Sequence, residues 1–209
     1  MGAVGWYCPL ILRRRVNPAP ATWIIACLAI NLSMVAYHAI PGRSLMAKLI
    51  SNASLYGAAL EITIVLIVLV FVLWRANELR IAFDWVQKSC LAVMCLTLLY
   101  WYSHHDQARA TFWTTQALMI VAYIATISKA IQCRTAFDSI GNWGLIFAAC
   151  TVGLVAALLM RDLYGIANAA RGSIMSVVTL LILVHFDRQA GYTRWRDEVI
   201  TLRSFYGLK

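Results

Sequence analysis

Leu55-Tyr56-Gly57-Ala58-Ala59-Leu60-Glu61-Ile62-Thr63-Ile64-Val65-Leu66-Ile67-Val68-Leu69-Val70-Phe71-Val72-Leu73-Trp74 carries one charged side chain in twenty residues. At 1.5 Å per residue such a run makes a helix of about 30 Å, the thickness of a bilayer's hydrocarbon core. Similar runs occur at 22–40, 85–102, 110–128, 143–160 and 163–186. These six are predicted to cross a membrane. A seventh, Ala3 to Leu12, gives only about 15 Å of helix. It is either a half-helix or the remainder of a span whose natural start lies upstream.

Composition agrees. The 209 residues are 62% hydrophobic and 13% charged, where a soluble domain carries about half apolar and a quarter charged residues. Most of the surface therefore faces something other than water. The net charge of +9 fits basic loops facing anionic headgroups better than it fits nucleic acid, which is not an expected partner. The six cysteines form no CxxC pair and suit small apolar packing. No cleavable leader is expected, because the basic cluster at Arg13-Arg14-Arg15 follows the first apolar run.

The basic residues also orient the chain. With the N-terminus outside, the inner segments hold twelve of them (Arg13, Arg14, Arg15, Arg75, Arg80, Lys129, Arg134, Arg188, Arg194, Arg196, Arg203 and Lys209). The outer segments hold four: Arg43, Lys48, Arg109 and Arg161. That asymmetry places the C-terminus in the cytoplasm and needs an odd number of spans. Trp23, Trp74, Trp85, Tyr100, Trp101, Tyr102 and Trp143 sit at segment ends, where interfacial anchors are expected. In the tail, Trp195, Val199, Leu202 and Tyr206 recur at helical spacing among arginines. This predicts an amphipathic helix on the inner leaflet.

An internal repeat is legible. Leu55-Tyr56-Gly57 opens one segment and Leu163-Tyr164-Gly165 another, while Thr22-Trp23 and Asn142-Trp143 open the segments before them. The expected fold class is an all-α polytopic membrane bundle of 3+1+3 helices with parallel repeats and a short first helix. Residues 1–74 form the first repeat, 75–109 the linker helix, 110–186 the second repeat and 187–209 a cytoplasmic amphipathic tail. Parallel repeats of this kind are related by an axis along the membrane normal, with a binding site near the midplane.

Gly5-Trp6-Tyr7-Cys8-Pro9, Pro18-Ala19-Pro20-Ala21-Thr22-Trp23, Asp84, Tyr100-Trp101-Tyr102 and residues 123–129 together resemble the PQ-loop group. That group includes the SWEET sugar transporters and the KDEL receptors, and the nearer likeness is to bacterial seven-helix proteins of the same plan. The resemblance implies a bacterial inner-membrane protein, with Pro9 as a hinge. The Pro-Gln dipeptide is absent, and Ala125-Thr126 stands where the family carries a second proline. Without that ring the fifth helix is expected to have no kink there, so the resemblance implies a hinge at Pro9 alone and not a paired one.

The intramembrane polar residues carry the functional expectation. Glu61 lies about 9 Å past Leu55 and Arg171 about 12 Å past Leu163, so the two are expected to meet or to line one cavity. Ionisable groups at such depth are functional by default, although a buried ion pair that docks the repeats also explains them. Asn168, one turn before Arg171, resembles the asparagine that SWEET transporters present to sugar hydroxyls; an inter-helix hydrogen bond is the alternative. Gln116 and Tyr123 share a face of the fifth helix. Asn31 is expected in a helix–helix contact, Thr126 is open between its own helix and a neighbour, Lys88 pairs with Asp84, and Lys129 snorkels. His104-His105-Asp106 has the wrong spacing for a closed metal site, and Asn52-Ala53-Ser54 is a common sequon.

No catalytic residue, metal or cofactor is expected, and no nucleophile–base pattern is present. The partners expected are the bilayer and a small-molecule solute, with a homo-oligomer left open. The reading is a transporter of a small polar solute, sugar-like or zwitterionic, whose substrate-binding residues are Glu61, Gln116, Tyr123, Asn168 and Arg171. The alternative is a receptor-like or accessory membrane interaction protein of the same fold.

Overall fold

The computed structural model describes residues 3–39, 45–75, 83–103, 107–134, 138–189, 191 and 194–206. It is all α-helical, with no strand among the described residues. Eight helices follow in chain order: α1 (Ala3–Leu12), α2 (Pro20–Ala39), α3 (Leu45–Arg75), α4 (Trp85–Ser103), α5 (Ala108–Cys133), α6 (Ile140–Leu159), α7 (Leu163–Gln189) and α8 (Arg194–Tyr206). Among the described residues, α5, α6 and α7 are long and apolar enough to cross a membrane.

Local chemistry explains the ends. After α1, Arg14 turns left-handed at φ 53°, and the N–H groups of Arg14 and Arg15 return to the carbonyls of Ile11 and Leu10. The end of α6 repeats this closure with Arg161 at φ 54°. Both are Schellman motifs, which satisfy the last carbonyls of a helix. Asp84 opens α4 by accepting the Gln87 N–H at 2.7 Å and the Gln87 Nε2 at 3.1 Å. The expected pair with Lys88 is therefore replaced by an N-cap, the better use of a carboxylate at a helix start. The start of α3 lies ten residues before Leu55, because nothing from Leu45 to Ser54 breaks a helix. Leu55-Tyr56-Gly57, whose counterpart Leu163-Tyr164-Gly165 opens α7, thus lies inside α3.

In packing, α3 lies along both α1 and α2, and α7 lies along both α5 and α6. The broad interface between these two sets joins α2 to α5, and a smaller one joins α1 to α6. Helix α4 rests on α5 and α2, and α8 lies across α1 and α6. Ala29, Ser33 and Ala36 are buried, so α2 approaches closely there. Two hydroxyl pairs fasten α2 to α5: Thr22 with Thr126 at 2.7 Å, and Ser33 to Thr115 at 2.7 Å. Thr126 therefore faces a neighbour. Asn31 does the opposite of what was expected, since it is exposed and donates back to the Cys27 carbonyl of its own helix at 2.6 Å.

The outward faces are apolar. Leu60, Ile67, Val70 and Phe71 on α3, Leu96 and Leu99 on α4, and Val152 and Val155 on α6 are all exposed. Trp74, Trp85, Tyr100 and Tyr102 are exposed at helix ends, as anchors are. Trp23 and Trp143 differ: both are buried, Trp23 against Tyr7 at 5.2 Å between ring centroids and Trp143 against Tyr123 at 5.5 Å. Such aromatic pairs gain about 0.5–1.5 kcal/mol beyond their burial, which outweighs an interfacial position.

Candidate functional site

Three turns of helix carry the polar cluster. Gln116 and Tyr123 stand seven residues apart on α5, so they share one face, and Asn168 and Arg171 stand three apart on α7. Phe112 sets the spacing of the two helices by packing edge-on against Tyr164 at 5.1 Å. Between them, Arg171 Nε donates to Gln116 Oε1 at 2.7 Å, and Arg171 Nη2 donates to Asn168 Oδ1 at 2.7 Å. Because a guanidinium only donates, the bond from Nε fixes the Gln116 amide with its oxygen toward Arg171. The Gln116 Nε2 is buried and without a partner, as is Arg171 Nη1. Tyr123 of α5 and Cys150 of α6 lie near enough to Arg171 to interact with it electrostatically. The site is thus walled by α5, α6 and α7.

This arrangement holds a cation with neutral neighbours. Removing a guanidinium from water costs several kcal/mol after relaxation. Each hydrogen bond to it returns about 1.5–3 kcal/mol. Two such bonds offset much of the penalty but leave one nitrogen unmatched.

Four of the five expected residues are therefore gathered in one place, and Glu61 is not with them. Glu61 is half-buried on α3, and among the described residues no hydrogen bond or ion pair joins it to Arg171. The expected pair does not form among the described residues: α3 packs mainly along α1 and α2, although Ile62, beside Glu61, joins Tyr164 and Ala167 of α7 in one apolar cluster. Pro9 is buried within α1. Lys129 does not simply extend to the interface. Its Nζ donates to the carbonyls of Asn17 at 2.7 Å and Pro18 at 3.2 Å, tying α5 to the loop after α1. His104, His105 and Asp106 lie outside the described residues, and no group of metal-ligating side chains occurs among those described. All six cysteines are free.

A second polar cluster, at the start of α6, was missed in the sequence. The first four N–H groups of a helix have no partner within it. Here each receives one from a side chain. Asp138 takes the Ser139 N–H at 2.8 Å, Glu198 takes those of Ile140 at 3.0 Å and Gly141 at 3.1 Å, and the Ser139 hydroxyl takes that of Asn142 at 3.0 Å. Glu198 also accepts from Ser139 Oγ at 3.0 Å and Trp6 Nε1 at 3.2 Å. Asp138 accepts from the Tyr7 hydroxyl and from Trp143 Nε1 at 3.0 Å. Gly141 is required here, because a Cβ would strike the Trp6 indole. Burial raises both carboxyls above their usual range. In Glu198 the four donors pull the other way, and in Asp138 three donors and the charge of Lys129 do so. Helix α8 is consequently docked on the bundle through this carboxyl. The available signal was position: Glu198 falls three residues after Trp195 and four before Leu202, on the face that the pattern makes apolar.

No family model, curated protein or solved structure matches the chain.

Proposed function

We propose that the protein is a membrane transporter of a small polar solute, built on two parallel three-helix repeats joined by α4. The observation that carries the reading is Arg171: an enclosed guanidinium held by two amides inside a set of membrane-length helices, with a donor left over. Intramembrane cations of this kind mark solute paths. Gln116, Asn168 and Tyr123 complete the proposed binding set, and Pro9 is its proposed hinge.

The helix wiring supports the repeats. A two-fold axis along the membrane normal would carry α1, α2 and α3 onto α5, α6 and α7. It would then exchange the α2–α5 interface with the α6–α1 interface, and both exist. They are unequal because α1 has only ten residues. The Tyr7–Trp23 pair joins the first two helices of one set, and Tyr123–Trp143 joins the first two of the other. This is the arrangement expected of the PQ-loop resemblance, with the N-terminus outside and the C-terminus in the cytoplasm of a bacterial inner membrane.

The test is osmotic swelling of liposomes containing the purified protein, with glucose, glycine, pyruvate and methylammonium as solutes. Entry of one solute at least tenfold faster than into empty liposomes, and slowed by Arg171→Gln, is the expected result. Equal rates with and without protein for all four would overturn transport and favour the receptor-like or accessory reading.

A further inference from the structure

The donors and acceptors around Arg171 do not balance. The Gln116 and Asn168 carbonyl oxygens are both taken by the guanidinium. What remains is donors: Arg171 Nη1 and Gln116 Nε2, each enclosed and without a partner, the latter on a residue only 6% exposed. No carboxylate among the described residues balances the charge. Among the described residues the titratable groups acting on Arg171 are a phenol, Tyr123, and a thiol, Cys150. Both are neutral at pH 7 by their ordinary ionisation. A buried cation left without a counter-ion is unfavourable, and buried donors left unmet add to that.

We propose that the site takes a small carboxylate anion, whose oxygens accept from Arg171 Nη1 and Gln116 Nε2. A ligand with one negative charge and two acceptor oxygens removes both deficits at once. A neutral sugar would supply acceptors but no charge. A cation would be repelled. A zwitterion would need a partner for its ammonium group, and Glu61, the carboxylate that could have served, is not in contact with Arg171. The planar guanidinium favours a carboxylate over a spherical anion, because its nitrogens present donors in a fixed fork. This inference rests on the transport reading for its location, yet it concerns binding, so the two fail separately.

The experiment is thermal unfolding of the full chain in detergent. The probes are sodium pyruvate and sodium acetate, against sodium chloride at equal ionic strength, glucose and methylammonium chloride; sodium decanoate tests a carboxylate drawn from the lipid phase. A ligand bound only by the folded state raises stability with its concentration. At a hundredfold excess over Kd, pyruvate or acetate is expected to raise Tm by about 5–10 °C. Arg171→Gln should abolish the shift, Arg171→Lys should retain part of it, and Gln116→Leu should weaken binding at least fivefold. Should Arg171→Gln not fold, the Gln116→Leu result decides. A shift with decanoate alone keeps the carboxylate and assigns it to lipid. A shift with glucose or methylammonium but not with the carboxylates overturns the anion while leaving transport standing, and an equal shift with chloride overturns the carboxylate. Carboxylate binding without flux in liposomes overturns transport and leaves the anion site. Silence from every probe overturns the anion proposal and makes Arg171 a pin between α5 and α7.

Discussion

Glu198 accepts the backbone N–H of Ile140 at 3.0 Å across 58 residues of chain, so the last helix supplies the cap of the sixth. The same carboxyl holds Gly141, Ser139 and Trp6, which joins α8, α6 and α1 at one point. Replacing Glu198 with Ala would leave these four donors without their acceptor in a site where Glu198 itself is 3% exposed. Each buried donor left unmet costs about 1–3 kcal/mol, and water entering the gap recovers part of it. Glu198→Ala should therefore lose about 3 kcal/mol and lower Tm by about 6–10 °C. Trypsin should also cut more readily at Arg196 and Arg203, both exposed on α8. An unchanged Tm and digestion pattern would mean that α8 is held by other contacts.

The pH dependence follows from the same cluster. Burial raises the Glu198 and Asp138 carboxyls above their usual range. A carboxyl raised by folding favours the folded state while it is protonated. That stability is complete below the unfolded value of about 4 and is lost as pH rises through the folded values. Tm should accordingly fall between pH 4 and neutrality. The slope should flatten in a Glu198→Gln, Asp138→Asn double variant, whose side chains do not titrate. A Tm that climbs with pH over this window would show that the hydrogen bonds outweigh burial in these carboxyls.

The helices themselves were legible, because apolar runs of span length between basic loops have one good solution in a membrane. The boundaries of α1, α4 and α7 agree with that reading to within three residues. The start of α3 was not legible, since Leu45 to Ser54 is polar enough to resemble a loop yet has nothing to stop a helix. Within the site, periodicity placed Gln116 with Tyr123 and Asn168 with Arg171, as it can for residues on one helix. What it could not supply was partnership between helices. Glu61 and Arg171 looked like a pair by depth, but the choice of neighbours for α3 and α7 is a property of the packed bundle. Trp143 likewise looked like an anchor until its partners, Tyr123 and Asp138, were brought to it by α5 and the start of α6.

Glu61 yields a prediction of its own. It is half-buried, and its side chain makes no hydrogen bond or ion pair among the described residues. Breaking a buried ion pair by removing one partner costs about 3–5 kcal/mol. Here there is none to break, so Glu61→Gln should change unfolding free energy by no more than about 0.5 kcal/mol. Denaturant unfolding in detergent measures this directly. A loss above about 2 kcal/mol would reveal a cationic partner for Glu61 in the folded protein.

The last prediction concerns the wall behind Arg171. A Cβ added at Gly172 would stand 2.6 Å from the Cys150 sulfur, so α6 and α7 are as close there as a glycine permits. Cys150 has a single rotatable bond and little freedom to withdraw. Gly172→Ala should therefore force the helices apart, at a cost of about 1–3 kcal/mol for the overpacked site. Cys150→Ala removes the sulfur that the new methyl would meet. The double variant should recover most of the loss, giving a coupling of at least about 1 kcal/mol between the two positions. Independent, additive effects would show that the two residues are not in contact. Since Gly172 adjoins Arg171 and Cys150 lies beside both, the single variant Gly172→Ala should weaken whatever Arg171 binds, and the double variant should restore it.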